Sequence, residues 1–453
     1  VRIIEQFGYL GGQSVGKMVC HFEFREYTNN VGTKLAEGIG KEIIKRVVEK
    51  GNSDPLYKEW LEGRGPPFKT ADPRAMGDIP LDLEDLKLVY QEMCSEANVE
   101  VRLYCKLADM IGKQENGREI AQYAIVSDSQ ELFGIEAKIF IDCTANNDVA
   151  WYLGKQFVEI PDTQAMPMQT YAWFGGVDIE KFIDEFWKHR NAWQLTYPDN
   201  KEQMIQHIHE GKTMMMRGGA SYLDMAEEKF PGILEEIEKY CSPFIYYWLK
   251  PVKIIPIKYT NGIYYDSWWA IEGPYSFKPQ TNPKEVSDFQ QAQLLAVHLL
   301  QKVHSVLPGW EKCYVVRTSD RVGFRQTRVL KGKYRITRDD VLKNAKFNDK
   351  IGHASGHDIS REKPQVEEGY DVPYRAIIPA DIDNLLVAAR SISCDTEDPR
   401  LVALNAHRGI SATIICSQAA GIAAVISIKD ETLPRYLEIG TLQAELRKQN
   451  VLL

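Results

Sequence analysis

Apolar residues recur every three or four positions in two early stretches of the chain. Ile39, Ile43, Val47 and Val48 share one face over 35–50, and Leu83, Leu86, Val89, Tyr90 and Met93 share one over 81–97. This spacing predicts two amphipathic helices. Shorter β-branched runs predict strands over 99–104, 122–126 and 138–141, and Asn116-Gly117 predicts a tight turn between strand-like stretches. The opening Val1-Arg2-Ile3-Ile4-Glu5 is a short apolar run ending in an acid. Residues 52–80, rich in Pro, Gly and charge, predict a surface excursion. From 156 to 340 the texture changes to Met and aromatic clusters, polar helices and aromatic strands. From 375 the earlier pattern returns: an apolar strand at 383–389, then an Ala-rich helix start at Ser417-Gln418-Ala419-Ala420-Gly421. The expected organisation is an α/β unit built from 1–155 and 346–453, interrupted by a mixed, β-rich unit over 156–345.

Composition narrows the class. The 453 residues suffice for two or three domains, and 44% apolar with 26% charged residues is globular. A net charge of -8 argues against nucleic acid or an anionic membrane as partner. No apolar run approaches the roughly 18 residues that span a bilayer. Arg2, Glu5 and Gly8 break any signal-peptide core at the start, so a cytoplasmic location is expected. The eight cysteines are scattered without a C-x-x-C pair, which gives no support to a zinc or dithiol site. Cys143 and Cys416 sit in apolar surroundings and are expected to be packed thiols in a reducing compartment.

Four segments carry candidate chemistry. Glu5, followed by Gly11-Gly12, has the form of the second strand of a dinucleotide-binding βαβ unit. There the acid takes a ribose hydroxyl, and the glycines let backbone approach the ligand. No G-x-G-x-x-G occurs in the chain, and the plainer reading is an edge strand with a glycine turn. The second segment runs from strand 137–142 through Cys143-Thr144-Ala145-Asn146-Asn147 to a helix start near Asp148, a strand end of the kind where α/β sheets bind ligands. Its plainer reading makes Asp148 an N-cap. The third joins Asp383-Asn384-Leu385-Leu386-Val387-Ala388-Ala389-Arg390-Ser391 to the Gln418 helix start, where exposed N–H groups and the helix dipole favour an anion or an electron-rich carbonyl. The fourth, Gly323 to Tyr334, sets Arg325 and Arg328 three apart to line an anionic or hydroxylated substrate, or merely to form a solvated basic strand.

In this order the segments resemble the bacterial FAD-dependent oxidoreductase family of the glutathione-reductase structural class. That family carries a strand-Glu-loop-Gly-Gly start, an I-D-x-T-G-D-G-D-V-A loop, a G-x-R-E-[ST]-R-x-[IV]-x-G-x-Y segment, an N-L-L-V-A-G-R strand and a G-Q-A-A-G helix. The counterparts here run from Glu5 to Gly421. The resemblance implies an α/β, Rossmann-like FAD-binding domain with a central parallel sheet and an inserted mixed β-rich substrate domain. It implies FAD bound by Glu5, Gly11, Gly12, Gln13, Thr144, Asp148, Arg390, Ser391, Gln418 and Ala419. It matches Arg325, Arg328 and Tyr334 to the family's arginines and tyrosine, and Arg408 to the arginine before the helix. The chain departs from the family at Ala145, Asn147 and Ala389, where the family has glycine, and at Ser417. A Cβ is added at each glycine position, although asparagine tolerates the left-handed region.

Flavin carries hydride or electron chemistry, and the protein adds a base or acid near it. The candidates are His357, His407, Tyr334 and Tyr265. Tyr264-Tyr265-Asp266-Ser267-Trp268-Trp269 and the aromatic run from Met166 to Phe174 suit a small cyclic or planar organic substrate, or simply core packing. A homo-oligomer is compatible with all of this, and no metal is expected. The alternative is a catalytically inactive relative that binds a ligand or partner without flavin.

Overall fold

The computed structural model describes residues 1–16, 21–23, 37–51, 61, 78–154, 157–160, 170, 172–188, 194–195, 200–209, 214–217, 221–240, 253–254, 256–259, 262–265, 283–323, 328–354, 369–398 and 400–453. Most of the expected excursion at 52–80 therefore lies outside the described residues.

The first part of the chain supplies strands β1 (Arg2–Ile4), β2 (Glu100–Arg102), β3 (Lys106–Glu115), β4 (Arg118–Ser127), β5 (Leu132–Glu136) and β6 (Phe140–Asp142). Its helices are α1 (Gly12–Gly16), α2 (Ile39–Glu49), α3 (Leu83–Glu96) and α4 (Asp148–Tyr152). Both predicted amphipathic helices form. Ile43, Ile44 and Val47 of α2 and Leu83, Leu86 and Val89 of α3 are buried. Arg46–Glu96 and Lys50–Glu92 pair across the exposed side of the two helices. Asp82 caps α3 by accepting from the Glu84 and Asp85 amides. The run from α3 into β2 returns parallel to β1, with Ile3 opposite Val101. β3, β4 and β5 form an antiparallel meander. Asn116 and Gly117 both take positive φ in the two-residue turn between β3 and β4, the primed geometry that suits Asn-Gly.

The middle part contributes β7 (Phe157–Glu159), β8 (Ala172–Gly175), α5 (Ile179–Lys188), α6 (Pro283–His304), β9 (Tyr314–Thr318) and β10 (Arg328–Leu330). β8 pairs antiparallel with β9, and β7 with β10. Tyr264 and Tyr265 close a strand over Gly262–Tyr265 that pairs with Pro256–Tyr259. A hydrophobic core runs through Phe174, Phe182, Phe289, Leu300 and Trp310.

The last part adds α7 (Arg338–Leu342), β11 (Lys350–Ala354), β12 (Tyr370–Pro373), β13 (Leu385–Val387), α8 (Val402–Ala406), α9 (Ile410–Lys429) and α10 (Ile439–Lys448). β13 pairs parallel with β6, Leu386 opposite Ile141. A second core draws on both ends of the chain, from Val15, Ile44 and Leu86 to Val329, Ile351, Leu386, Cys416 and Leu442. The protein is thus mixed α/β; among the described residues its sheets have two or three strands, with parallel pairs β1·β2 and β6·β13.

Three sequence expectations change. The Ala-rich helix begins at Ile410, so Gln418 and Ala419 lie about two turns inside it. The early hydroxyls are satisfied within the helix: Thr413 Oγ1 donates to the Gly409 carbonyl and Ser417 Oγ to the Thr413 carbonyl. They therefore do not break it. By length and composition α9 is apolar enough to cross a membrane, contrary to the reading of the sequence. Yet 61% of its apolar window is buried inside the protein, where it packs on β11, β13, α2 and α10. Lastly, Cys143 is exposed, whereas Cys416 is buried as expected.

Candidate functional site

The loop after β6 is organised from below by Asp142. Its Oδ1 accepts from the Thr144 amide and hydroxyl at 2.8 and 2.6 Å, and its Oδ2 from the Val149 amide at 3.0 Å. Burial pushes this carboxyl up to about 6 despite those donors. Thr144 Oγ1 in turn accepts from the Asn146 and Asp148 amides. Ala145 and Asn147 stand where the resembling family has glycine, and both have positive φ, 63° and 55°. Asn147, not Asp148, is the N-cap residue of α4. It is fully buried, and its Nδ2 donates to the carbonyls of Ser391 at 2.9 Å and Arg328 at 3.3 Å. The asparagine thus ties three segments together at a position where a glycine has no side chain to do so. Ala145 has no such return. Ala145→Gly is expected to stabilise the protein by up to about 1 kcal/mol in chemical denaturation, because alanine pays roughly that in the left-handed region.

Arg328 and Arg390 bond to this loop directly. Arg328 is buried; its Nη1 meets Asp148 Oδ1 at 3.0 Å, and its guanidinium lies 4.6 Å from the Trp151 ring centroid. Arg390 donates to Asn146 Oδ1 at 3.3 Å. Burial, then the charges of Arg321 and Arg408, pull its guanidinium down to about 9, with Asp148 opposing. Arg321 lies 4.5 Å over the Phe7 ring and acts electrostatically on Glu5 and Tyr9. Glu5 sits just beyond β1, where its carboxylate accepts from the Phe7 amide at 3.0 Å and burial raises its pKa. The sequence reading missed Arg321 altogether; only its place two residues before Gly323 offered a signal.

The glycine pair divides in role. Gly11 has φ 107°, and a Cβ there would meet Val15 and Tyr90, so packing and conformation both require glycine. Gly12, φ 52°, faces open space, and Gln13 follows within α1. Such a bare, positive-φ position is what a ligand approaching the backbone needs. Ser391 is buried and its Oγ has no hydrogen-bond partner among the described residues, nor has Asn147 Oδ1. An acid at a strand end, an open glycine, orphaned buried polar atoms and clustered arginines fit the ribose, phosphates and polar ring edge of FAD.

The other expected residues lie elsewhere. Gln418 accepts from the Ile39 amide at 3.2 Å and donates to Gln449 at 3.1 Å, so it caps α2, whose own N-cap Gly38 has no side chain. Ala419 is buried. Tyr334 donates to Asp340 at 2.8 Å within the α7 capping box and stacks edge-on with Phe347. His407 is buried between Tyr370 Oη at 3.1 Å and Cys416 Sγ at 3.4 Å, and burial drives its imidazole down to about 3. Arg325 and His357 lie outside the described residues.

The family model described as FAD dependent oxidoreductase matches residues 1–446, and the chain belongs to that family. Its cofactor is FAD. No curated protein matches. Among solved structures, the chain is similar to the myxobacterial chondrochloren halogenase CndH at 8% identity, covering 99% of this chain and 73% of that one with a TM-score of 0.40. A geranylgeranyl bacteriochlorophyll reductase-like protein from Thermoplasma acidophilum matches at 12% identity over 82% of this chain and 60% of its own, TM-score 0.36. Thermovibrio ammonificans THI4 matches at 18% identity over 35% of this chain and 54% of its own, TM-score 0.20. The chain therefore spans less than two thirds of the length of the latter two.

Proposed function

We propose that this protein is an FAD-dependent oxidoreductase that moves a hydride or electrons between a small organic substrate and the flavin. The observation that carries the reading is the meeting of the Thr144–Asp148 loop with Arg390-Ser391, where Arg390 donates to Asn146 and Asn147 to the Ser391 carbonyl, with Ser391 Oγ buried and without a hydrogen-bond partner among the described residues. Within it, Glu5 takes the adenosine ribose, Gly12 and Gln13 border the pyrophosphate, and Thr144 and Asp148 hold the crossover loop. Arg390 and Ser391 approach the ribityl chain and ring. FAD, when bound, supplies the redox chemistry; the chain binds, orients and excludes water. Tyr334 and His407 serve as positioning residues, since each is engaged in a closed hydrogen-bonded contact.

The parallel pairs β1·β2 and β6·β13 support parts of one Rossmann-like sheet. The core shared by both chain ends supports an FAD-binding unit from 1–155 and 346–453, with the separate core of Phe174 and Trp310 supporting a substrate unit between them. Val329, Leu330, Ile336 and Val341 pack into the core shared by both chain ends rather than into that of Phe174 and Trp310. A cytoplasmic location and a homo-oligomer complete the proposal.

An absorption spectrum of the purified protein tests it, together with titration of added FAD. Flavin bands, or FAD uptake, are the expected result. Glu5→Ala is expected to weaken FAD binding about tenfold to a hundredfold, the worth of charge-assisted bonds to a ribose hydroxyl. Its carboxylate accepts from the adjoining Phe7 amide, so the fold is expected to be retained. A colourless protein that takes up no FAD would overturn the reading and favour an inactive relative.

A further inference from the structure

The loop after β6 hangs from one buried carboxylate and from the hydroxyl which that carboxylate holds. Asp142 is 1% exposed. Its Oδ1 takes both the amide and the hydroxyl of Thr144, and its Oδ2 takes the amide of Val149 in the first turn of α4. Thr144 Oγ1 gives its one proton to Asp142 and accepts the Asn146 and Asp148 amides with its two lone pairs. We infer that Asp142 is a positioning residue for the loop that borders FAD, and that a proton taken up by its carboxyl releases the loop and weakens cofactor binding. For its ligand this rests on the flavoenzyme reading; the response of the loop does not.

A carboxylate suits this setting because it only accepts. Once protonated it must donate from one oxygen, and neither side offers a free acceptor among the described residues. A proton on Oδ2 approaches the Val149 N–H, 3.0 Å away. A proton on Oδ1 meets the Thr144 amide at 2.8 Å and, at 2.6 Å, a hydroxyl whose lone pairs are both taken. Either a loop bond breaks or a buried O–H is left without an acceptor, and a neutral acid holds the remaining donors less strongly than a carboxylate does. The loop has little else to keep its shape: Ala145 and Asn147 stand at φ 63° and 55°, where the backbone does not settle by itself.

Burial pushes Asp142 up to about 6; the Thr144 and Val149 donors oppose the rise, and the charge of Asp148 on α4 adds to it. Asp148 is paired with Arg328 of β10 at 3.0 Å. Cys143, next along the chain, feels both Asp142 and Glu5. The paired strand β13 lies alongside with Leu386 and Val387, and Arg390 beyond it reaches Asn146 instead. An ordinary aspartate ionises near 3.8, so the folded state binds this proton more tightly than the unfolded chain. On its account stability is greatest at low pH and falls as pH rises through about 6. Acid therefore releases the loop without unfolding the protein through this group.

The test follows hydrogen exchange over 143–152, corrected for the intrinsic rate at each pH, and FAD titration, from about pH 8 to about pH 5. In the parent protein the segment is expected to lose protection, and FAD to bind about tenfold more weakly, as pH falls through about 6. Asp142→Asn turns an N–H toward one of the same donors at every pH. It is expected to bind FAD about tenfold more weakly throughout and to lose the inflection. Whatever pH dependence Glu5 and Asp148 add is common to both proteins and drops out of the comparison. Thr144→Val removes a donor to the charged form, which moves the inflection to higher pH, and it decides the matter if Asp142→Asn does not fold. A segment equally protected across the range, or an inflection unchanged in either variant, overturns the inference. So does a loop that opens in acid while FAD binding stays constant. A loop that opens in acid in the parent but not in Asp142→Asn, in a protein that binds no FAD at any pH, refutes the flavoenzyme reading and leaves the proton-controlled loop standing.

Discussion

Arg328→Leu is expected to cost about 3 kcal/mol of stability and to weaken FAD binding with it. Breaking a buried ion pair by removing one partner typically costs about 3–5 kcal/mol, because the remaining charge loses its counterion inside the protein. The low end applies here, since Asp148 keeps the charges of Arg321 and Arg390 nearby and is itself part-exposed. Two further losses come from the same side chain. Its guanidinium lies over the rings of Trp151 and Phe157, at 4.6 and 5.4 Å from their centroids, and its Nη1 reaches the Asn146 carbonyl. The loop that these contacts hold is the one expected to border the cofactor, so the loss of order reaches the site. Arg328→Lys keeps a charge but not the planar fork, and about 1 kcal/mol is expected from it. Urea denaturation followed by tryptophan fluorescence, with FAD titration in parallel, measures both effects. A leucine variant of unchanged stability would show that the pair contributes nothing.

Asn384→Ala is expected to cost a comparable amount, about 3 kcal/mol, by a different route. The meander strand β4 is paired with β5 only from Tyr123 to Ser127. Beyond that point its edge turns to the segment before β13. Glu119 exchanges backbone bonds with Asp381 and Asp383, and the Asn384 side chain then imitates one more strand residue. Its Oδ1 accepts from the Ala121 amide at 2.9 Å, and its Nδ2 donates to the carbonyls of Ala121 at 2.8 Å and Lys138 at 3.0 Å. Truncation leaves a buried donor and two carbonyls unmatched, each worth about 1 kcal/mol or more. Asn384→Asp should be worse, because its carboxylate would face those two carbonyls. Loss of amide protection at Ala121 in hydrogen exchange is the specific signature. An alanine variant that keeps this protection would refute the strand-mimic account.

Local pattern made much of this legible. Helices α2 and α3 follow directly from apolar spacing, and the Asn116-Gly117 turn from the backbone freedom of its two residues. The Glu5 strand end, the loop after β6 and the Arg390 strand end stood out because ligands of open α/β sheets bind at the carboxyl ends of strands. The sequence places the start of α9 at Ser417, whereas it begins at Ile410, with the Thr413 and Ser417 hydroxyls bonded within the helix. Gln418, a candidate ligand residue in the sequence, caps α2 across 379 positions of sequence. No periodicity encodes such a contact.

By itself, then, the sequence determined the class: an α/β chain of the FAD dependent oxidoreductase family, with its acid, its glycine pair and most of its arginines in order. These features are local in the chain, and local chemistry can be read locally. Only the tertiary structure decided which residues meet. It made Asn147 the tie between Arg328 and Ser391, and enclosed His407 between Tyr370 and Cys416. Charge repulsion, burial and hydrogen-bond satisfaction depend on distances in space, and those arise only once the chain has folded.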